Sequence, residues 1–141
     1  AADVATCAAI KLVYKYKKFD DEVFNSKWYG DLENVPIVVL VDGMTASAGE
    51  IISMALQEQV WAKLVGTKTF GKWSIQTIDN FSDWDAIKYT IGKRYSPKNE
   101  NINKIWVIPD VEVKFDVEWY TKTKIDNQLE KAKETLYEMM K

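Results

Sequence analysis

The stretch Asp42-Gly-Met-Thr-Ala-Ser-Ala-Gly-Glu50 carries the group best suited to covalent chemistry, a serine set among small residues. Ser47 stands where an apolar strand pattern gives way to a helical one, at the first turn of the predicted helix. Backbone N–H groups at a helix start point outward, and the helix dipole adds partial positive charge there. The N–H of Ala48 is therefore a natural donor to the oxyanion of an acyl-transfer intermediate. Taken alone, the segment favours the plainer reading, in which Ser47 is a helix cap.

A second segment, Lys68-Thr-Phe-Gly-Lys-Trp-Ser-Ile-Gln76, places Lys72 25 positions after Ser47 and Gln76 four further on. Singly, Lys72 reads as a solvated loop lysine and Gln76 as a surface strand residue. The chain contains no histidine. That excludes Ser/His/Asp and Cys/His catalysis and every His-ligated zinc site, so a hydrolase here needs a different base. Asp83 and Asp85 flank Trp84 without an Asp-Thr-Gly signature, and they read as solvated turn acids rather than an aspartic dyad. Cys7 is the only cysteine, so neither an intrachain disulfide nor a thiolate metal cluster can form.

These residues need elements to hold them. Pro36 to Val41 is a continuous β-branched run, the pattern of a strand buried on both faces of a parallel sheet. Asp42-Gly43 ends it, and a helix begins near Ser47 with Ile51, Ile52, Met54, Ala55 and Leu56 on its apolar side. Lys63 to Gly66 predicts a short second strand, Lys68 to Ser74 a loop carrying Gly71, and Ile75 to Ile78 a return to extended structure. Ile87, Tyr89 and Ile91 alternate with Lys88 and Thr90, which predicts a strand over 86–91 with one buried face. Two short strands are expected to flank Pro109-Asp110. Before the apolar run, Val4, Ala8, Leu12 and Tyr16 recur at helical spacing, so residues 1–16 read as an amphipathic helix. Residues 17–35 read as a surface loop with a short edge strand around Trp28. At the other end Ile125, Leu129, Ala132, Leu136 and Met139 mark a final helix.

At 141 residues the chain suits one domain that buries roughly two-thirds of its unfolded surface. Nineteen basic and 21 acidic residues, with no long Lys/Arg block, make nucleic acid a poor partner. No apolar run reaches the roughly 18 residues of a membrane-spanning helix.

The order of buried strand, T-A-S-A-G-E-I turn, short V-G strand and T-F-G-K-W-S-I-Q segment resembles the C-terminal processing peptidases, also known as tail-specific proteases. The likeness continues through the 86–91 strand, Tyr95-Ser-Pro97, Ile108-Pro-Asp-Val-Glu-Val113 and the helix over 126–140. It implies an α/β, crotonase-like peptidase core with a central, mostly parallel sheet and packed helices. The resemblance divides residues 1–141 into an N-terminal helix and loop (1–34), the catalytic sheet and site loops (35–123) and a C-terminal helix (124–141). It makes Ser47 the nucleophile, Lys72 the general base and Gln76 the residue that orients the lysine without holding it charged. For Lys72 to accept a proton its pKa must fall by several units from about 10.4, and Phe70 and Trp73 are expected to wall it from water and to line a substrate pocket. Gly71 would allow the close approach of this loop, and Asp110 a backbone-bonded turn.

The resemblance further implies a substrate of protein C-terminal tails, no metal or nucleotide cofactor, and an extracytoplasmic location: periplasmic, cell-surface or secreted. Members of the family carry an upstream PDZ domain and a Gly-rich loop that gives a second oxyanion donor. Both are expected outside these residues, which would make the chain a fragment that is inactive alone and associates with its upstream segment or with a second copy. Two departures from the family pattern stand out. Gly49 replaces a common small hydroxyl residue, and Trp73 a usual small residue. The alternatives are a non-catalytic ligand- or peptide-binding module on the same fold, or a structural domain in which Ser47 is only a cap.

Overall fold

In a computed structural model, residues 11–16, 18, 20–25, 35–81, 84–95 and 106–141 are described. Chain order is β1 (Lys11–Tyr16), β2 (Glu22–Asn25), β3 (Val38–Val41), α1 (Ala48–Gln59), β4 (Lys63–Gly66), β5 (Ser74–Asn80), β6 (Ala86–Tyr95), β7 (Val111–Glu112), α2 (Val117–Thr123) and α3 (Asn127–Met139). The strands form a parallel sheet ordered β3-β4-β7 and an antiparallel sheet ordered β2-β1-β6-β5. The fold class is α/β, as the sequence predicts.

The parallel sheet follows from the apolar runs. β3 pairs with β4 from Val38↔Lys63 to Val41↔Gly66, and β7 joins at Val65↔Val111 and Gly66↔Glu112. Parallel neighbours cannot be joined by a hairpin, and α1 is the crossover between β3 and β4. Helix α3 packs on β3 and β4, and α1 packs on β4. Val41, Met54, Leu64, Trp73 and Val107 form a buried cluster between them, flanked by Val39 and Ile51.

Two details fix the sheet, Gly66 at the end where the Ser47 turn emerges and Asp110 toward the opposite end, at the start of β4. Gly66 has φ 135, and a Cβ there would lie 1.9 Å from Val41 O, so only glycine lets the two strands run this close. Asp110 accepts hydrogen bonds from the Leu64 backbone N–H (2.9 Å), Lys63 Nζ (3.0 Å) and Gln57 Nε2 (2.9 Å). Partial burial pushes its carboxyl up, but those donors and the Lys63 charge outweigh burial and hold it below the usual carboxylate value. The backbone-bonding role predicted for Asp110 is what the structure shows.

Several predicted elements differ. The helix read over residues 1–16 is a strand where it can be seen, because Lys11–Tyr16 is β1; residues 1–10 lie outside the described set. A stripe at every fourth residue is also a set of every second residue, so Leu12 and Tyr16 satisfy either period. Pairing with β2 and β6 decides for the strand. Within the predicted 17–35 loop lies β2, while the expected strand around Trp28 falls outside the described residues. Strand β6 runs on to Tyr95 because β1 pairs with it over 92–95. Its predicted buried face is open, Ile87 being 53% and Tyr89 43% exposed; among the described residues no helix packs on this part of the sheet. β3 is less enclosed than its composition suggests, with Val41 at 3% but Leu40 at 45% exposure. Only one of the two strands expected around Pro109-Asp110 is found among the described residues, β7 after it. The helix α2 was not predicted; Asp116 caps it by accepting from Trp119 N, and it buries no residue.

Candidate active site

The site begins with the turn that leaves β3. Asp42 Oδ1 accepts from Met44 N (2.9 Å), Thr45 N (2.9 Å) and Thr45 Oγ1 (3.1 Å), and Thr45 Oγ1 accepts from Asp42 N (3.0 Å). An aspartate that bonds its own backbone two and three residues on makes a compact turn without a helix or strand partner. The chain then reaches α1 through Ser47, the N-cap, with φ 53 and ψ −111. A non-glycine residue at positive φ costs about 1–3 kcal/mol and persists only where its surroundings enforce it. A strained serine between a strand end and a helix start has the form of a nucleophile elbow, which presents the hydroxyl at the sheet's edge. The Gly49 N–H bonds back to Ala46 O, while the N–H of Ala48 belongs to the helix's first turn, where no intrahelical acceptor exists.

Glu50 is the residue that sequence reasoning missed. Its side chain is fully buried and accepts four hydrogen bonds. Oε1 takes Thr69 Oγ1 (2.5 Å) and Gly71 N (2.6 Å); Oε2 takes Ser47 N (2.9 Å) and Lys72 N (2.8 Å). Burying a carboxyl group is costly unless both oxygens are satisfied, and here four donors converge on it. The local signal was Ser47-x-x-Glu50, one arm of a capping box. Nothing local announces that the same oxygens also receive residues 69, 71 and 72.

The Lys72 loop has further ties. Phe70 N donates to Thr45 O (2.9 Å), Thr69 N to Val107 O (3.1 Å) and Val107 N to Thr69 Oγ1 (2.9 Å). Gly71 adopts φ 88, as a close approach requires. The backbones at Ser47 and Lys72 are thus brought together through one carboxyl group. The side chains differ from expectation. Lys72 and Gln76 are exposed, the latter at the bulge in β5 where its register to β6 shifts. Phe70 is 62% exposed and Trp73 4% exposed within the core cluster. The wall expected around Lys72 is therefore not formed by these two rings: one faces solvent and the other packs inward against Leu64 and Val107. Asp85 is exposed, as a turn acid should be, and Asp83 lies outside the described residues. Beside the turn, Leu40, Val41, Asp42, Thr45 and Gln128 line a shallow, open cleft. Gln128 is held there by donating to Val113 O at 2.7 Å.

Comparison with known proteins shows the family and the fold. Residues 4–113 match the family model described as peptidase family S41. A carboxyl-terminal-processing protease of Synechocystis is 47% identical over 75 residues, covering 53% of this chain and 18% of that protein. A carboxy-terminal-processing protease of Bartonella bacilliformis is 40% identical over 98 residues, covering 69% of this chain and 22% of that protein. Chloroplastic relatives occur as well, among them a C-terminal processing peptidase of Tetradesmus obliquus. In structure, the chain is similar to a photosystem II D1 C-terminal processing protease, with TM-score 0.66 and 30% identity over 79% of this chain and 30% of that one. A lipoprotein from Streptococcus agalactiae shares the fold, with TM-score 0.67 at 16% identity over 93% of this chain and 47% of that one. The chain spans about a fifth of the length of the Synechocystis and Bartonella proteins, at 18% and 22%.

Proposed function

The chain belongs to peptidase family S41, and from that membership we propose that it carries the catalytic residues of a serine endopeptidase acting on protein C-terminal tails. Ser47 is the nucleophile, Lys72 the general base, and Gln76 an uncharged partner that orients the lysine. The observation that carries this reading is the strained Ser47 N-cap tied through Glu50 to the backbone of Lys72.

Lys72 takes the proton from Ser47 Oγ as the oxygen attacks the peptide carbonyl. The negative charge that develops on the carbonyl oxygen is met by the Ala48 N–H and the α1 dipole. Lys72 then gives its proton to the leaving amine, takes one from the water that attacks the acyl-enzyme, and returns it to Ser47 Oγ as the acyl–oxygen bond breaks. The step needs no metal or nucleotide. Phe70, exposed two residues before Lys72, is one side chain available to meet substrate. By likeness to its bacterial and chloroplastic relatives, the protein works outside the cytoplasm.

One observation favours a second reading of this chain on its own. Lys72, Gln76 and Phe70 are open to solvent, whereas a lysine base must be shielded from it. In this reading the chain is inactive until the rest of the protein, substrate or a second copy covers the loop.

Labelling with a fluorophosphonate probe tests both, on this chain and on the intact protein, against Ser47→Ala and Lys72→Ala. Labelling of the intact protein that both substitutions abolish supports the peptidase. Equal labelling of all forms, or none in the intact protein, leaves a non-catalytic binding module. Labelling confined to the intact protein supports the second reading.

A further inference from the structure

We infer that Trp106 is a positioning residue for Lys72, clamping the base-bearing loop from a segment more than 30 residues away in sequence. The inference rests on the assignment of Lys72 as base. Three contacts converge on it. A Cβ on Gly71 would lie 3.0 Å from Trp106 Cδ1 and 3.1 Å from its Nε1, so the indole edge packs against the bare Cα of the residue preceding Lys72. Lys68 Nζ sits 4.7 Å above the centroid of the same ring, at cation–π distance, at the other end of the loop. The next residue, Val107, exchanges two hydrogen bonds with Thr69, through its N–H to Thr69 Oγ1 and its carbonyl from Thr69 N. Residues 106 and 107 therefore grip positions 68, 69 and 71.

The grip is directional. Val107 is anchored in the core at 2% exposure, so its backbone is a fixed reference. Thr69 relays that reference to Glu50 Oε1, which Gly71 N also reaches. Gly71, at φ 88, lacks the Cβ that would limit its φ and ψ sterically, and Glu50 restrains it only through the N–H groups of Gly71 and Lys72. The Trp106 ring lies against its bare Cα and adds the steric restraint that a side chain would otherwise supply. An indole 45% exposed is not there to complete the core. It holds the backbone from which the Lys72 side chain starts.

The test compares Trp106→Ala and Trp106→Phe in the intact protein. Hydrogen exchange reads the clamp directly. In Trp106→Ala the Gly71 and Lys72 amides should exchange about tenfold faster, while the Leu64 amide, in the core strand, keeps its protection. Fluorophosphonate labelling of Ser47 should fall about tenfold in maximal rate with little change in the probe concentration giving half that rate. Trp106→Phe should restore both, since a flat ring again faces Gly71. Should Trp106→Ala also expose the Leu64 amide, Trp106→Leu replaces it and the same outcomes apply. Unchanged Gly71 and Lys72 exchange overturns the clamp. Faster exchange with unaltered labelling overturns its link to reactivity. Labelling that survives Lys72→Ala sinks the base assignment instead, and the exchange rates still judge the clamp separately.

Discussion

Ser47 and Lys72 donate their backbone N–H groups to the same atom, Glu50 Oε2, at 2.9 and 2.8 Å. The Ser47 turn and the Lys72 loop, 25 positions apart in the chain, are thereby set against each other by backbone, not by their own side chains. The side chain of Lys72 is exposed, while its backbone is tied to the buried carboxyl group.

This arrangement makes Glu50→Gln severe. A glutamine has one acceptor oxygen, and its NH₂ would face two of the four donors now satisfied. The substitution should cost about 2–4 kcal/mol in urea unfolding and lower probe labelling as well. A loss below about 0.5 kcal/mol, the range of ordinary surface changes, would show that the four hydrogen bonds are not worth what their number suggests.

At position 47 stability and chemistry should part company. Alanine keeps the strain of φ 53, whereas glycine relieves it. Ser47→Gly should therefore be more stable than Ser47→Ala by about 1 kcal/mol, although under the proposed function both lose activity of the intact protein by on the order of a thousandfold or more. Thermal unfolding of the two variants beside a hydrolysis assay decides the matter; equal stabilities would mean that the turn relaxes when the hydroxyl is gone.

Gly66→Ala should prevent folding. The added carbon would meet Val41 O at 1.9 Å, backbone against backbone, at a φ of 135 that alanine avoids. A penalty above about 4 kcal/mol is expected, read as loss of soluble protein or of cooperative unfolding. A soluble Gly66→Ala with a native-like midpoint would mean that β3 and β4 can separate at this end.

The contribution of Asp110 should depend on pH in one direction. Its carboxyl is held below the ordinary value by the Leu64, Lys63 and Gln57 donors. A depressed folded pKa stabilises fully above the unfolded value of about 3.9, and the benefit fades as pH falls through the folded value. Asp110→Asn should thus cost about 1–2 kcal/mol near neutral pH, with the gap to wild type closing below about pH 4. Urea titrations of both proteins across that range check it, and a gap that persists in acid would point to packing instead of charge.

Elements whose signal is local were legible in the sequence. β4 occupies Lys63–Gly66 as read, because a short apolar run ends on an obligatory glycine, and α3 follows its stripe and the Asp126 cap. Ser47 at the start of α1 was equally visible in the small-residue turn. β1 was misread because its apolar spacing suits two periods and only its neighbours choose. α2 was missed because a helix that buries nothing leaves no stripe to find. Glu50 showed its capping arm but not its other three partners, which reach it only after β4 returns the chain. The surroundings of Lys72 were least legible, since whether an aromatic neighbour turns inward, as Trp73 does, or outward, as Phe70 does, is settled by packing.

The sharing of one carboxyl by two distant segments also bears on the order of assembly. Until residues 69–72 return from β4 to meet α1, Glu50 has only its Ser47 partner, and three of its four donors are missing. A buried carboxyl left in that state is costly, so the turn and the loop take their places in one cooperative step.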